Sequence, residues 1–70
     1  MTTQRVLRAR KFILEDENGE LRALLCIGKG GPGLYLYDEK GKLRAMLRVG
    51  KYGPRLSLSD EKGKPIWTAP

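Results

Sequence analysis

The chain has 70 residues, with 14 Lys and Arg against 8 Asp and Glu, no His and a single Cys, for a formal charge of +6. That length fits one short domain, the lone thiol excludes an internal disulfide, and the lack of His argues against a protein-held zinc. Nucleophile–base pairs built on His are excluded too, so no catalytic, cofactor or metal residues are expected and the chain is not expected to be an enzyme.

Residues 1–11 carry Arg5, Arg8, Arg10 and Lys11 and no acid, a local charge of +4. Leu7-Arg8-Ala9 matches Leu-Arg-Ala at 21–23 and 43–45, and Val6, Leu7 and Ala9 suit a sheet. The stretch reads as the second strand of a truncated leading unit, with a flexible basic arm as the alternative. No apolar run approaches the roughly 18 residues of a spanning helix, and no signal-peptide core is present, so no membrane partner is expected. A lone cysteine fits a reducing compartment, and the cytoplasm is the expected location.

From residue 12 one pattern recurs at a spacing of 22. Asp16-Glu17-Asn18-Gly19, Asp38-Glu39-Lys40-Gly41 and Asp60-Glu61-Lys62-Gly63 fall in phase. So do Phe12/Leu34/Leu56 and Leu14/Leu36/Leu58 before them, and Leu21/Leu43 and Ala23/Ala45 after them. The repeats are 12–33, 34–55 and 56–70, the last one truncated. A period of this length marks a supersecondary unit that must stack on copies of itself to bury its apolar face.

Each repeat reads as a β-hairpin. Asp-x-(Asn/Lys)-Gly is a type I turn: Asp accepts from its own backbone, and Gly takes the left-handed conformation, leaving a bulge. Leu34-Tyr35-Leu36-Tyr37 and Leu56-Ser57-Leu58-Ser59 alternate with period 2 before the turn. Leu21, Ala23, Leu25 and Ile27 share one face after it, as do Leu43, Ala45, Leu47 and Val49 one repeat later. Turns about every ten residues give the rhythm of a meander. Gly31-Pro32 and Gly53-Pro54 are read as separators between hairpins.

One face, with Phe12, Leu14, Leu34, Leu36, Leu56 and Leu58, reads as a core. The other carries Ile13, Leu24, Tyr35, Tyr37 and Met46 among Arg22, Arg44, Arg48, Ser57 and Ser59, too apolar for a fully solvated face. Seventy residues make a marginal core without a staple. Ile13, Leu24, Tyr35, Tyr37 and Met46 are therefore the candidate interface with further copies of the chain. Trp67, in the place of Ala23 and Ala45, reads as a plug over the last hairpin.

The excess charge lies in the leading residues and the middle repeat, at +4 each, with −2 over 12–33 and zero over 56–70. Arg5, Arg8, Arg10, Lys42, Arg44, Arg48 and Arg55 are the candidate residues for nucleic acid or another polyanion, with Tyr35 and Tyr37 as a stacking pair. Edge protection and solubility explain the same cations, and that reading is preferred.

Gly28-Lys29-Gly30-Gly31-Pro32-Gly33 fits G-x-G-x-x-G, but no helix can open at this Gly/Pro cluster, so it is a turn. None of the Gly-Lys pairs continues into Ser or Thr as a phosphate loop requires. The acidic clusters are explained by turn capping. Cys26, in Leu24-Leu25-Cys26-Ile27, is a structural thiol with nothing to activate it.

Leu34-Tyr35-Leu36-Tyr37-Asp38-Glu39-Lys40-Gly41-Lys42-Leu43 resembles the YD-repeat of Rhs-type shell proteins, which implies hairpins in a curled sheet and transfers no site. Phe/Leu-x-Leu-x-Asp-x-x-Gly-x-x-Arg-Ala, with Ile66-Trp67-Thr68-Ala69-Pro70 at the end, resembles repeats of small uncharacterised bacterial proteins over residues 8–70, and implies no known activity. The expectation is an all-β antiparallel meander of stacked hairpins, six or seven strands completed by homo-oligomerisation. Its expected role is structural, with polyanion binding as the alternative.

Overall fold

A computed structural model describes residues 5–70. The chain runs through β1 (Lys11–Glu15), β2 (Leu21–Gly28), β3 (Gly31–Tyr37), β4 (Leu43–Gly50), β5 (Gly53–Ser59) and β6 (Pro65–Ala69). All six pair antiparallel with their sequence neighbours in one sheet, so the fold is an all-β meander in a single layer.

Local chemistry makes the turns. The Gly19, Gly41 and Gly63 amides donate to the Asp16, Asp38 and Asp60 carbonyls at 2.9–3.0 Å, and the three glycines have φ of +80 to +85°. Each aspartate Oδ1 also accepts two backbone N–H groups, at 2.9–3.0 Å, two and four residues on. The register slips by one residue beside each turn, at Leu14/Glu15, Leu36/Tyr37 and Leu58/Ser59. Each slip leaves one residue of the following strand unpaired, Arg22, Arg44 and Ile66 in turn, a second bulge beyond the one that the turn glycine makes.

At the opposite end β2 and β4 turn through Lys29-Gly30 and Lys51-Tyr52, with Gly28 opposite Gly31 and Gly50 opposite Gly53. Gly-Pro does not separate the hairpins: Pro32 and Pro54 lie inside β3 and β5, opposite Ile27 and Val49. Proline is tolerated there because the β3–β4 ladder ends at the Gly33–Arg48 pair and the β5–β6 ladder at the Leu56–Ala69 pair, so neither proline lies within them.

The registers sort the side chains onto two faces. Phe12, Leu25, Leu34, Leu47, Leu56 and Ala69 form one cross-strand row, and Leu14, Ala23, Leu36, Ala45, Leu58 and Trp67 form the next. On the reverse, Ile13, Leu24, Tyr35, Met46, Ser57 and Thr68 form the central row.

The leucine face is not a core within one chain. Among the described residues only Gly33 is buried, while Phe12 is 41%, Leu47 48% and Leu14 66% exposed. Among the described residues nothing packs over the single six-stranded layer. Trp67, 50% exposed, stands at the end of its row instead of plugging the last hairpin. The leading strand expected over 1–11 is not formed over residues 5–9: the sheet begins at β1, and Arg10 contributes only its carbonyl, which accepts from the Ile27 amide at 3.2 Å. Residues 1–4 of that expectation lie outside the described residues.

Candidate interaction surfaces

The chain exposes 6325 Å², against about 4,400 Å² for a compact monomer of its mass. Its radius of gyration is 14.4 Å, against about 11 Å for a compact domain of this length. The exposed residues 5–10 and the uncovered sheet both contribute to the excess.

The two rows of the leucine face carry no charged or hydrogen-bonding side chain except the Trp67 indole. Where Ala45 stands between Leu36 and Leu58, the surface sinks into a hollow of about 170 Å³ walled by Leu34, Leu36, Ala45, Met46, Leu47 and Leu56. Leucine beside alanine across successive strands thus gives this face ridges and grooves.

On the reverse face the five candidate interface residues take two positions. Ile13, Leu24, Tyr35 and Met46 join in the central row, while Tyr37 lies at the bulge opposite Leu43. Leu24, Tyr35 and Met46 are half-buried by their own neighbours, and Ile13, on the edge strand, is exposed. Tyr35 lies down over the backbone: a Cβ on Gly33 would come within 2.7 Å of its hydroxyl. In β5 the choices are reversed, with Arg55 in phase with Gly33 and Ser57 in phase with Tyr35.

Two arginines on this face tie the hairpins together. Arg22 Nε donates to the Tyr37 carbonyl at 3.4 Å, and Arg44 Nε donates to the Ser59 carbonyl at 2.8 Å. Their Nη1 atoms reach back to Asp16 at 3.7 Å and Asp38 at 3.4 Å, in the turn of their own hairpin. Lys42 Nζ adds a link to the Glu61 carbonyl at 3.1 Å. Arg44 and Lys42, both in the candidate polyanion set, therefore have partners within the chain. The carboxyls of Asp16 and Asp38 are held below their ordinary range, first by the Glu20 and Lys42 amides respectively and less strongly by Arg22 and Arg44.

Arg48 and Arg55 differ: they face each other directly across β4 and β5, and among the described residues neither has a carboxylate partner. Together with Lys51, Tyr52, Pro54 and Pro70 they line a cleft of about 270 Å³, and Lys51 Nζ sits 5.7 Å from the centre of the Tyr52 ring. Arg10 and Lys11 enter the sheet at this same end, with Arg5 and Arg8 ahead of them, and Lys29 lies in the neighbouring turn. No acid lies there, since all eight acids sit at or beside the three aspartate turns at the far end.

The hairpin linkage by Arg22 and Arg44 was not anticipated from sequence, although the in-phase Leu-Arg-Ala at 21–23 and 43–45 carried the signal. No family model, curated protein or solved structure matches the chain, so the argument for function rests on the sheet itself.

Proposed function

We propose that this chain is a structural module that acts by self-association and carries no chemistry of its own. The observation that supports this most is the burial: a six-stranded sheet with one uncharged, leucine-rich face covers only Gly33 among the described residues. Fully burying a Leu or Phe side chain contributes about 1.5–3 kcal/mol, and a single layer forgoes most of that unless a second layer arrives. The hydrogen bonds described above are spent on turns and on links between hairpins, as a scaffold requires. Sedimentation equilibrium at tens of micromolar should therefore give a mass above that of one chain. A folded monomer under those conditions would overturn the reading.

A second reading is favoured by one observation, the Arg48–Arg55 pair. Like charges directly opposite on a sheet repel, and an anion between them relieves the repulsion. Nucleic acid or another polyanion is the matching partner, held at the basic end by Arg5, Arg8, Arg10 and the two paired arginines. Titration of a single-stranded oligonucleotide at low and physiological salt decides between the readings. Binding that vanishes at about 150 mM salt is nonspecific attraction. Micromolar binding that persists there, and is lost in Arg48→Gln, would make the anion the function.

A further inference from the structure

Self-association has four surfaces to choose from: the leucine face, the tyrosine face and the free edges of β1 and β6. The edges are poor candidates. Both edge strands have five residues, β6 starts at Pro65 and is followed by Pro70, and β1 is bounded by Lys11 and Glu15. Prolines and charges at a sheet edge oppose further pairing. Extension would also lack the guanidinium link between hairpins, because Ile66 stands where Arg22 and Arg44 stand in the first two repeats.

The tyrosine face carries Lys11, Arg22, Arg44, Arg48 and Arg55 around its apolar row, and burying those charges costs more than covering a half-buried row returns. The leucine face has the opposite character. Six strands at about 4.8 Å spacing, by about six residues at 3.3 Å, make it roughly 500 Å² in projection and more in accessible area. That is the size class of one side of a standard interface, about 800 Å² per partner.

Resting on the self-association reading, we propose that the leucine face is the contact between two copies of this chain, packed sheet on sheet. The two sheets stand about 10 Å apart, as in other face-to-face sheet pairs, with leucines of one copy over the alanine grooves of the other. Each copy uses the same patch, so the contact is isologous and closes at two. The charged faces remain outside.

The chain carries one reporter on each face. Trp67, its only tryptophan, stands on the leucine face, and Cys26, its only thiol, stands on the tyrosine face in the row of Lys11 and Arg48. Diluting the wild-type protein through its dissociation range should move Trp67 emission to the red while the rate of Cys26 alkylation stays constant within twofold. Leu47→Lys should give the monomer mass at concentrations where wild type is dimeric, and Ser57→Lys, in the central row of the other face, should not. If Leu47→Lys fails to fold, the two wild-type reporters still decide.

Three results overturn the proposal, and they are distinguishable. A folded monomer with constant, red emission removes self-association and this inference together. An oligomer in which Cys26 is protected and Trp67 emission does not change keeps self-association and moves the contact to the tyrosine face. An oligomer that dissociates with neither reporter responding places the contact at the strand edges.

Discussion

Asp38 and Gly41 divide the labour of one turn, and acid separates their contributions. Asp38 holds the Lys40 and Lys42 amides through one carboxylate oxygen, and its pKa lies below the ordinary value chiefly because the Lys42 amide favours the charged form. A carboxyl with a lowered folded pKa adds stability that is complete above the unfolded value and drains away as pH falls through the folded one. Stability should therefore drop below about pH 4, and Asp38→Asn should lose stability near neutral pH while flattening that acid limb. Gly41→Val should cost about 1–2 kcal/mol at every pH, because it forces a β-branched residue to positive φ. Urea unfolding from pH 2 to 7 on the wild type and both variants checks this; equal losses at all pH values for Asp38→Asn would sink the capping argument. These roles were legible in the sequence because every contact is local, two to four residues along the chain.

The hairpin is the smallest unit that the sequence specifies, and the links between hairpins are what it concealed. Arg44 lies fifteen residues from the Ser59 carbonyl, so its role depends on the β4–β5 register and not on its neighbours in the chain. A tally of charge per repeat counted it as a free cation. Its planar group serves the turn aspartate of one hairpin and a backbone carbonyl of the next, a geometry that a lysine ammonium cannot reproduce. Arg44→Met should lower stability by about 1 kcal/mol, since the contacts are only part-buried, and Arg44→Lys should recover little of it. Hydrogen exchange should show the loss as faster opening of β5 and β6, with β1 and β2 unchanged. Uniform loosening would mean that Arg44 acts through general charge alone. Leu7-Arg8-Ala9 misled for the related reason that a strand-like triplet needs a partner strand, and among the described residues none precedes β1.

Over the whole molecule the meander sorts charge by end, although the sequence distributes it by repeat. Every aspartate turn goes to one end, so all eight acids meet six cations there, while the other eight cations gather around the glycine turns. The ends are about 20–25 Å apart along the strands. Two sheets packed on their leucine faces can align like ends or opposed ends, and opposed ends bring the basic pole of one copy over the acidic pole of the other. Carbodiimide coupling should then join Lys29 or Lys51 to Glu17, Glu39 or Glu61, a span that no single chain covers. Lys40, Lys42 and Lys62 lie beside acids of their own chain, so absence of the Lys29 and Lys51 couplings in the dimer is the result that would show like ends aligned. The face assignments were legible from period-2 patterning. That the leucine face is bare in a single chain was not, because alternation reports which side a residue takes and not what lies beyond it.

Ile66 in place of the linking arginine says where the sheet stops, and it also says how the sheet could be lengthened. Each repeat touches only its neighbours, and the exceptional residues are confined to the two ends. A gene carrying a second copy of the codons for 34–55, inserted after Arg55, would keep the 22-residue phase and both termini intact. The product would be broader by two strands, about 10 Å. Duplication of a short DNA cassette is thus enough to change the width of this molecule, and sheet width becomes a trait that can be inherited in whole steps.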